Sequence, residues 1–213
     1  MSIFRFQLAV SVDGFVAGPD QSEKNPLGVG GMDLHDWAFR LEAWREQHGQ
    51  EGGEVNASSL VVEEIQSNVG ATVMGRNMFG GGPGPWSEDD PWNGWWGDNP
   101  PYHTPVFVLT HRHREPLEME GGTTFTFVTD GIGSALDQAK RAAAGRDVLL
   151  GGGANIAQQY LAAGLIDGFE LHVVLVLLGD GERLLENVGD LKLEQVRAIE
   201  APGVTHIKYR VIK

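Results

Sequence analysis

No cysteine occurs among the 213 residues, and basic side chains are scarce, 16 against 29 acidic, which leaves a net charge of −13. Without thiols there can be no disulfide, thiol nucleophile, iron–sulfur cluster or cysteine-bound zinc. Such usage fits a cytoplasmic protein. The acidic balance argues against nucleic-acid partners, whose phosphates need Lys and Arg, and against anionic membrane surfaces. Long hydrophobic runs are missing too. The longest, Val173–Leu178, falls far short of the ~20 residues that span a bilayer. Arg5 interrupts the N-terminal apolar stretch and no small-residue cleavage site follows, which speaks against a signal peptide. A small-molecule partner is the remaining expectation, with residues 1–213 forming one α/β domain.

What is abundant is glycine, 30 residues against the roughly 15 that average usage predicts. The excess is clustered at Gly28–Gly31, Gly80–Gly84 and Gly151–Gly153, which points to tight turns or close backbone approach to a ligand. Ile3–Val10 reads as a buried strand ending in the turn Ser11-Val12-Asp13-Gly14. Leu34, Trp37, Ala38, Leu41 and Trp44 fall at helical spacing behind Asp33, predicting one amphipathic helix. A second helix is predicted over Ser58–Asn68, with Leu60, Val61 and Ile65 on one face. Strands are predicted at Ala71–Met74, Pro105–Thr110, Thr124–Thr129, Asp147–Leu150 and Phe169–Leu178, and helices at Ser134–Ala144 and Asn155–Ala163. Leu191–Glu200 and Val204–Ile212 alternate around Ala201-Pro202-Gly203, as an antiparallel hairpin does. The alternation of strand and helix predicts a mostly parallel central sheet with flanking helices and that hairpin at its edge. Residues 80–101 form a Gly/Pro/Trp-rich excursion, too long for an ordinary connection and too aromatic for disorder.

Three motifs carry chemistry. Val148-Leu149-Leu150 runs into Gly151-Gly152-Gly153-Ala154-Asn155, a buried strand ending in glycines that open a helix. Backbone N–H groups at such a helix start form an anion site, whose commonest occupant is phosphate; a tight turn without ligand is the alternative. It lacks the third glycine of the dinucleotide fingerprint. Gly75-Arg76-Asn77 follows another strand, where an arginine could reach the same pyrophosphate. Thr110-His111-Arg112-His113-Arg114 follows a third, and this basic run in an acidic chain suits a 2′-phosphate or an ordinary solvated turn. No third ligand accompanies His111 and His113, so no metal is expected. All three lie at strand ends, where ligands of open α/β sheets bind. Trp86, Trp92, Trp95 and Trp96 offer either an aromatic wall for a flat substrate or packing for the long excursion.

Ser11-Val12-Asp13-Gly14-Phe15-Val16-Ala17, Met74-Gly75-Arg76-Asn77-Met78, Pro105–Thr110, Leu149–Asn155 and Leu178-Gly179-Asp180-Gly181 occur in an order that resembles the dihydrofolate-reductase-like superfamily. The pattern is most similar to the reductase domain of the riboflavin-biosynthesis deaminase–reductase. That resemblance implies a dihydrofolate-reductase-like α/β fold, an NADPH cofactor, a homodimer, and hydride transfer to a small heterocycle such as a phosphoribosylaminouracil or a pterin. It places Ala9, Val16 and Ala17 near the nicotinamide. Gly75, Arg76, Asn77, Gly152, Gly153, Ala154 and Asn155 would hold the phosphates, and Thr110, His111 and Arg112 the 2′-phosphate. The zinc deaminase half of that protein is excluded by the missing cysteines. Candidate proton donors are Asp33, Asp36 and Asp13, each also explained as a helix-start or turn carboxylate. Without a proton donor the chain would be a catalytically silent NADP(H)-binding protein.

Overall fold

The computed structural model describes residues 2–65, 67–82, 84–87, 89 and 91–213. Its strands are β1 (Phe4–Ser11), β2 (Phe15–Ala17), β3 (Val69–Gly75), β4 (Pro105–Leu109), β5 (Leu117–Glu118), β6 (Thr124–Val128), β7 (Asp147–Leu150), β8 (Gly168–Val174), β9 (Glu182–Arg183), β10 (Lys192–Ala201) and β11 (Val204–Ile212). The α-helices are α1 (Asp36–Phe39), α2 (Glu42–Gln47), α3 (Ala57–Ile65), α4 (Arg76–Phe79), α5 (Ile132–Ala143) and α6 (Ala154–Ala162). Nine strands form one sheet in the order β10-β11-β8-β1-β7-β3-β4-β6-β5. The six from β8 to β6 are parallel, and antiparallel strands close both edges. This is the mostly parallel central sheet with an antiparallel C-terminal hairpin at its edge that the sequence predicts.

Residue alternation sorts the side chains. Phe4 and Phe6 of β1, Ala71 and Val73 of β3, and Val148 and Leu150 of β7 join Ala135, Leu136 and Ala139 of α5 and Ala157, Tyr160 and Leu161 of α6 in the main core. Helices α5 and α6 therefore cover one face. The other face is shared. Met74, Val106, Val108, Phe125 and Phe127 are covered by Phe79 of α4 and by Trp86, Trp92 and Trp96 from the long excursion. Ala9, Val174 and Val204 are covered by Leu34 and Trp37. Arg5, which breaks the apolar run of β1, is paired 3.3 Å from Asp147, and its Nη2 donates to the carbonyls of Ile65 and Ser67. A buried arginine survives because each of these partners answers it.

The strand predicted over Phe169–Leu178 stops at Val174, and two further local expectations fail. The helix predicted from Asp33 through Trp44 is a 3₁₀ turn at Gly31–His35, then α1, then α2. Leu41 between α1 and α2 is extended (φ −75°, ψ 138°). The returning chain causes the break: Glu54 N donates to Arg40 O and Glu42 N to Glu54 O, at 2.8 and 3.0 Å, taking over what helical bonds would use. In α3 the buried residues are Ser58, Ser59, Val61 and Val62, whereas Leu60 is 62% exposed. The packing direction of α3 against β10 and β11, which spacing could not supply, decides that face.

Candidate functional site at the strand ends

Chain order and sheet order part company beside β1. The chain passes from β1 to β3, β4 and β6, then returns to place β7 between β1 and β3. A crevice opens at the carboxyl ends of strands where the order reverses in this way. At β7 the Gly151 N–H donates to Val73 O at 2.7 Å, fixing the turn against β3. Gly152 and Gly153 then take φ of 111° and 53°, and no side chain caps α6. A β-carbon on Gly153 would meet nothing within 4 Å, so this turn leaves open space beside the uncapped helix start. Such a turn suits an anion drawn to the leading N–H groups. Gly75 lies against Ile156 of α6, which brings the ends of β3 and β7 together.

Arginines surround the next two strand ends. Arg76 opens α4 with its guanidinium 3.2 Å above the Trp86 ring, and its Nη2 donates to the carbonyls of Gly81 and Gly84. Arg114 lies 4.9 Å from the same ring and donates to Trp92 O and Asn93 Oδ1. Burial, then the charges of Arg114 and Arg112, push the Arg76 pKa downward, which places three cations in one local field. Arg76 keeps its charge regardless. Thr110 is buried and its hydroxyl accepts from Arg112 N, while the side chains of His111 and Arg112 face solvent. His113 sits 3.9 Å from Glu115, and no group of three or more His, Asp or Glu among the described residues is arranged to hold a metal.

The apolar end of the crevice is at β1. Ala9, Val16 and Ala17 are buried there, and β2 pairs with β9. Asp33 and Asp36 are exposed on the 3₁₀ turn and α1, Asp36 lying 3.9 Å from Arg40. Asp13 differs. Its carboxylate accepts from Leu178 N and Gly179 N at 3.2 and 2.7 Å. These bonds, with the Ser11 hydroxyl foremost, lower its pKa to about 2. It is ionised at neutral pH and ties the first turn to the chain after β8. The tryptophans lie at the opposite end. Trp86 packs edge-on against Phe79 and Phe127, Trp96 stacks on Phe125, and Trp92 Nε1 donates to Phe79 O. Trp86, Trp92 and Trp95 also line a shallow pocket of about 320 Å³ with Glu23. The excursion therefore brings Trp86, Trp92 and Trp96 to the cluster of β3, β4 and β6, while Trp95 is exposed against Trp92.

A family model of the RibD C-terminal domain matches residues 3–207. The chain belongs to the RibD C-terminal domain family. Solved structures agree on the fold of this RibD-type domain. A protein named as a riboflavin biosynthesis protein of Shewanella sp. PV-4 superposes with TM-score 0.62 at 20% identity, covering 99% of each chain. The riboflavin biosynthesis reductase Rib7 of Saccharomyces cerevisiae gives 0.55 at 12% identity, over 99% of this chain and 90% of that one. Dihydrofolate reductase of Enterococcus faecalis, complexed with NADP(H), gives 0.52 at 12% identity, over 99% and 97%. No curated protein matches the sequence.

One constellation in the RibD-type domain escaped the sequence reading. His172 of β8 and His206 of β11 are register partners, with their Nδ1 atoms 2.8 Å apart. The Ser58 hydroxyl of α3 lies 2.9 Å from His206 Nε2, and the Trp37 ring stands edge-on to both imidazoles. Burial first, and then neighbouring charge, push the pKa of His172 down to about 3 and that of His206 to about 4. Both rings are neutral at physiological pH. A faint signal existed: each histidine stands two residues from a buried valine on the same face of its strand, Val174 in β8 and Val204 in β11.

Proposed function

We propose that the chain is an NADPH-dependent reductase of the RibD type, acting on a small flat heterocycle. Bound in the crevice, NADPH would supply a hydride to an electrophilic ring atom. The backbone of Gly152, Gly153, Ala154 and Asn155 would hold the pyrophosphate. Thr110, His111 and Arg112 would hold the 2′-phosphate, with Gly75, Arg76 and Asn77 shaping the wall between. Ala9, Val16 and Ala17 would give the nicotinamide a dry apolar seat. The observation that carries this reading is the open, uncapped Gly153 turn at the end of β7, in a protein of net charge −13 whose β3 and β4 ends carry three mutually close arginines. Asp33, on the turn whose Leu34 packs with Ala9, is the carboxylate we assign as proton source. Asp13 is bound to backbone amides and carries no proton to give.

Following tryptophan fluorescence while NADPH and NADH are titrated separately tests the cofactor. Saturable NADPH binding, tighter than NADH, is expected. A flat response to both up to high micromolar concentration would sink the proposal. NADPH binding without oxidation across pterin, pyrimidine and carbonyl substrates would instead mark a cofactor-binding protein without turnover.

A further inference from the structure

Across β1, β8 and β11, Ala9, His172 and His206 stand in register, so their side chains leave the same face of the sheet. Adjacent strands lie about 4.8 Å apart, which makes His172 the immediate neighbour of Ala9. His172 is 4% exposed and its Nε2 is buried without a hydrogen-bond partner. Trp37 Nε1 and His35 Nδ1 share that condition. Trp37 is in contact with His172, and the charge of His35 is felt there. Three partnerless ring nitrogens gathered on one side of a sheet are unusual, because a buried unmet polar group costs roughly 1–3 kcal/mol.

The 2.8 Å approach of two Nδ1 atoms requires that one donate and the other accept. If His206 donates, its Nε2 accepts the Ser58 hydroxyl proton, and His172 carries hydrogen on Nε2. If His172 donates, His206 carries hydrogen toward Ser58, and His172 Nε2 is a bare acceptor. The Ser58–His206–His172 chain can therefore present either a donor or an acceptor at one fixed point. That versatility matches a cyclic amide, whose edge sets a carbonyl oxygen beside an N–H.

Resting on the reductase reading above, we propose that His172 binds the substrate, its Nε2 hydrogen-bonding the lactam edge of a flat heterocycle that lies beside Ala9. His206 and Ser58 are positioning residues that set the tautomer His172 presents. Trp37 is the ring that yields to the ligand. It belongs to the four-residue α1, between a 3₁₀ turn and the extended Leu41, where few helical bonds resist movement.

The test uses histidine labelled with ¹⁵N in the full chain loaded with NADPH, with 5-aminouracil and 6-methylpterin as lactam probes and pyridine-3-carbaldehyde as a carbonyl control. A bound lactam probe is expected to move the His172 Nε2 resonance and select one tautomer, which the aldehyde does not. Ser58→Ala, a small change inside α3, should alter the tautomer balance of the free protein. It should weaken probe binding about tenfold, the equivalent of ~1.4 kcal/mol, while NADPH affinity stays within about twofold. Binding of a lactam probe, seen by calorimetry, with His172 resonances unmoved would overturn the inference. So would failure of both lactam probes to bind at low-millimolar concentration. If NADPH does not bind but a probe still moves His172 in the free protein, the cofactor reading fails and this one stands.

Discussion

The Arg76 guanidinium lies 3.2 Å above the Trp86 ring, while its Nη2 is shared between the carbonyls of Gly81 and Gly84. One side chain at the end of β3 thus anchors the start of the tryptophan-rich excursion. A desolvated guanidinium–indole pair contributes up to about 2 kcal/mol, and Trp86 adds its packing on Phe79 and Phe127. Trp86→Ala should therefore destabilise the chain by roughly 2–4 kcal/mol, read from the urea midpoint. A change below about 0.5 kcal/mol would show that the excursion is not packed through this pair.

Arg112 faces solvent beside the buried Thr110 hydroxyl. Arg112→Ala should weaken NADPH about tenfold or more and NADH by less than about twofold, since only the former carries a 2′-phosphate to pair with. Equal losses for the two cofactors would remove Arg112 from the 2′-phosphate role.

Gly153 has open space around its α-carbon but a backbone at φ 53° and ψ 158°, a region L side chains rarely enter. Gly153→Ala should cost about 1–3 kcal/mol of stability from backbone strain alone. Its methyl would also stand where the pyrophosphate approaches, so NADPH affinity should fall at least about tenfold at temperatures where the variant is folded. Unchanged NADPH binding in the folded variant would move the cofactor away from this turn.

The histidine pair makes a pH prediction. Both folded-state pKa values, about 3 and about 4, lie below the usual 6.5, so the unfolded chain binds more protons between those limits. Stability contributed by keeping the rings neutral is complete above pH 6.5 and is lost as pH falls toward 3, at up to about 1.4 kcal/mol per pH unit for each ring. Urea midpoints measured from pH 7 to pH 4 should fall, and less steeply in His206→Phe. Identical slopes would show that His206 is not held neutral in the fold.

Asp13 acts in a lower window. Its depressed value of about 2 means its stabilising bonds persist above the ordinary carboxylate pKa and fade as pH drops from 3.8 to 2. Asp13→Asn should lower the melting temperature and leave the NADPH titration in place. A selective loss of hydride transfer with unchanged melting would instead return Asp13 to the chemistry.

Much of this protein was legible residue by residue. The bounds of β7 follow from a short buried apolar run, and the hairpin of β10 and β11 from alternating side chains around a Pro-Gly turn. The strand-end motifs at Gly75-Arg76, Thr110–Arg112 and Gly151–Asn155 follow from turn and helix-start chemistry confined to a few neighbours. The break at Leu41 was not legible, because it depends on Glu54 returning to bond with Arg40 and Glu42. Nor was the β2–β9 ribbon, which joins residues more than 160 apart and has too few residues to show a period.

The candidate site divides along the same line. Glycine, arginine and threonine at three strand ends form local patterns, and the phosphate expectation is drawn from those alone. The row Ala9–His172–His206, the Ser58 hydroxyl that completes it, and the packing of Trp86, Trp92 and Trp96 on β3, β4 and β6 exist only after strands pair. Register is set by long-range hydrogen bonding and burial, and a one-residue slip would turn each histidine to the other face. Local propensity carries no record of that choice; the packed sheet makes it.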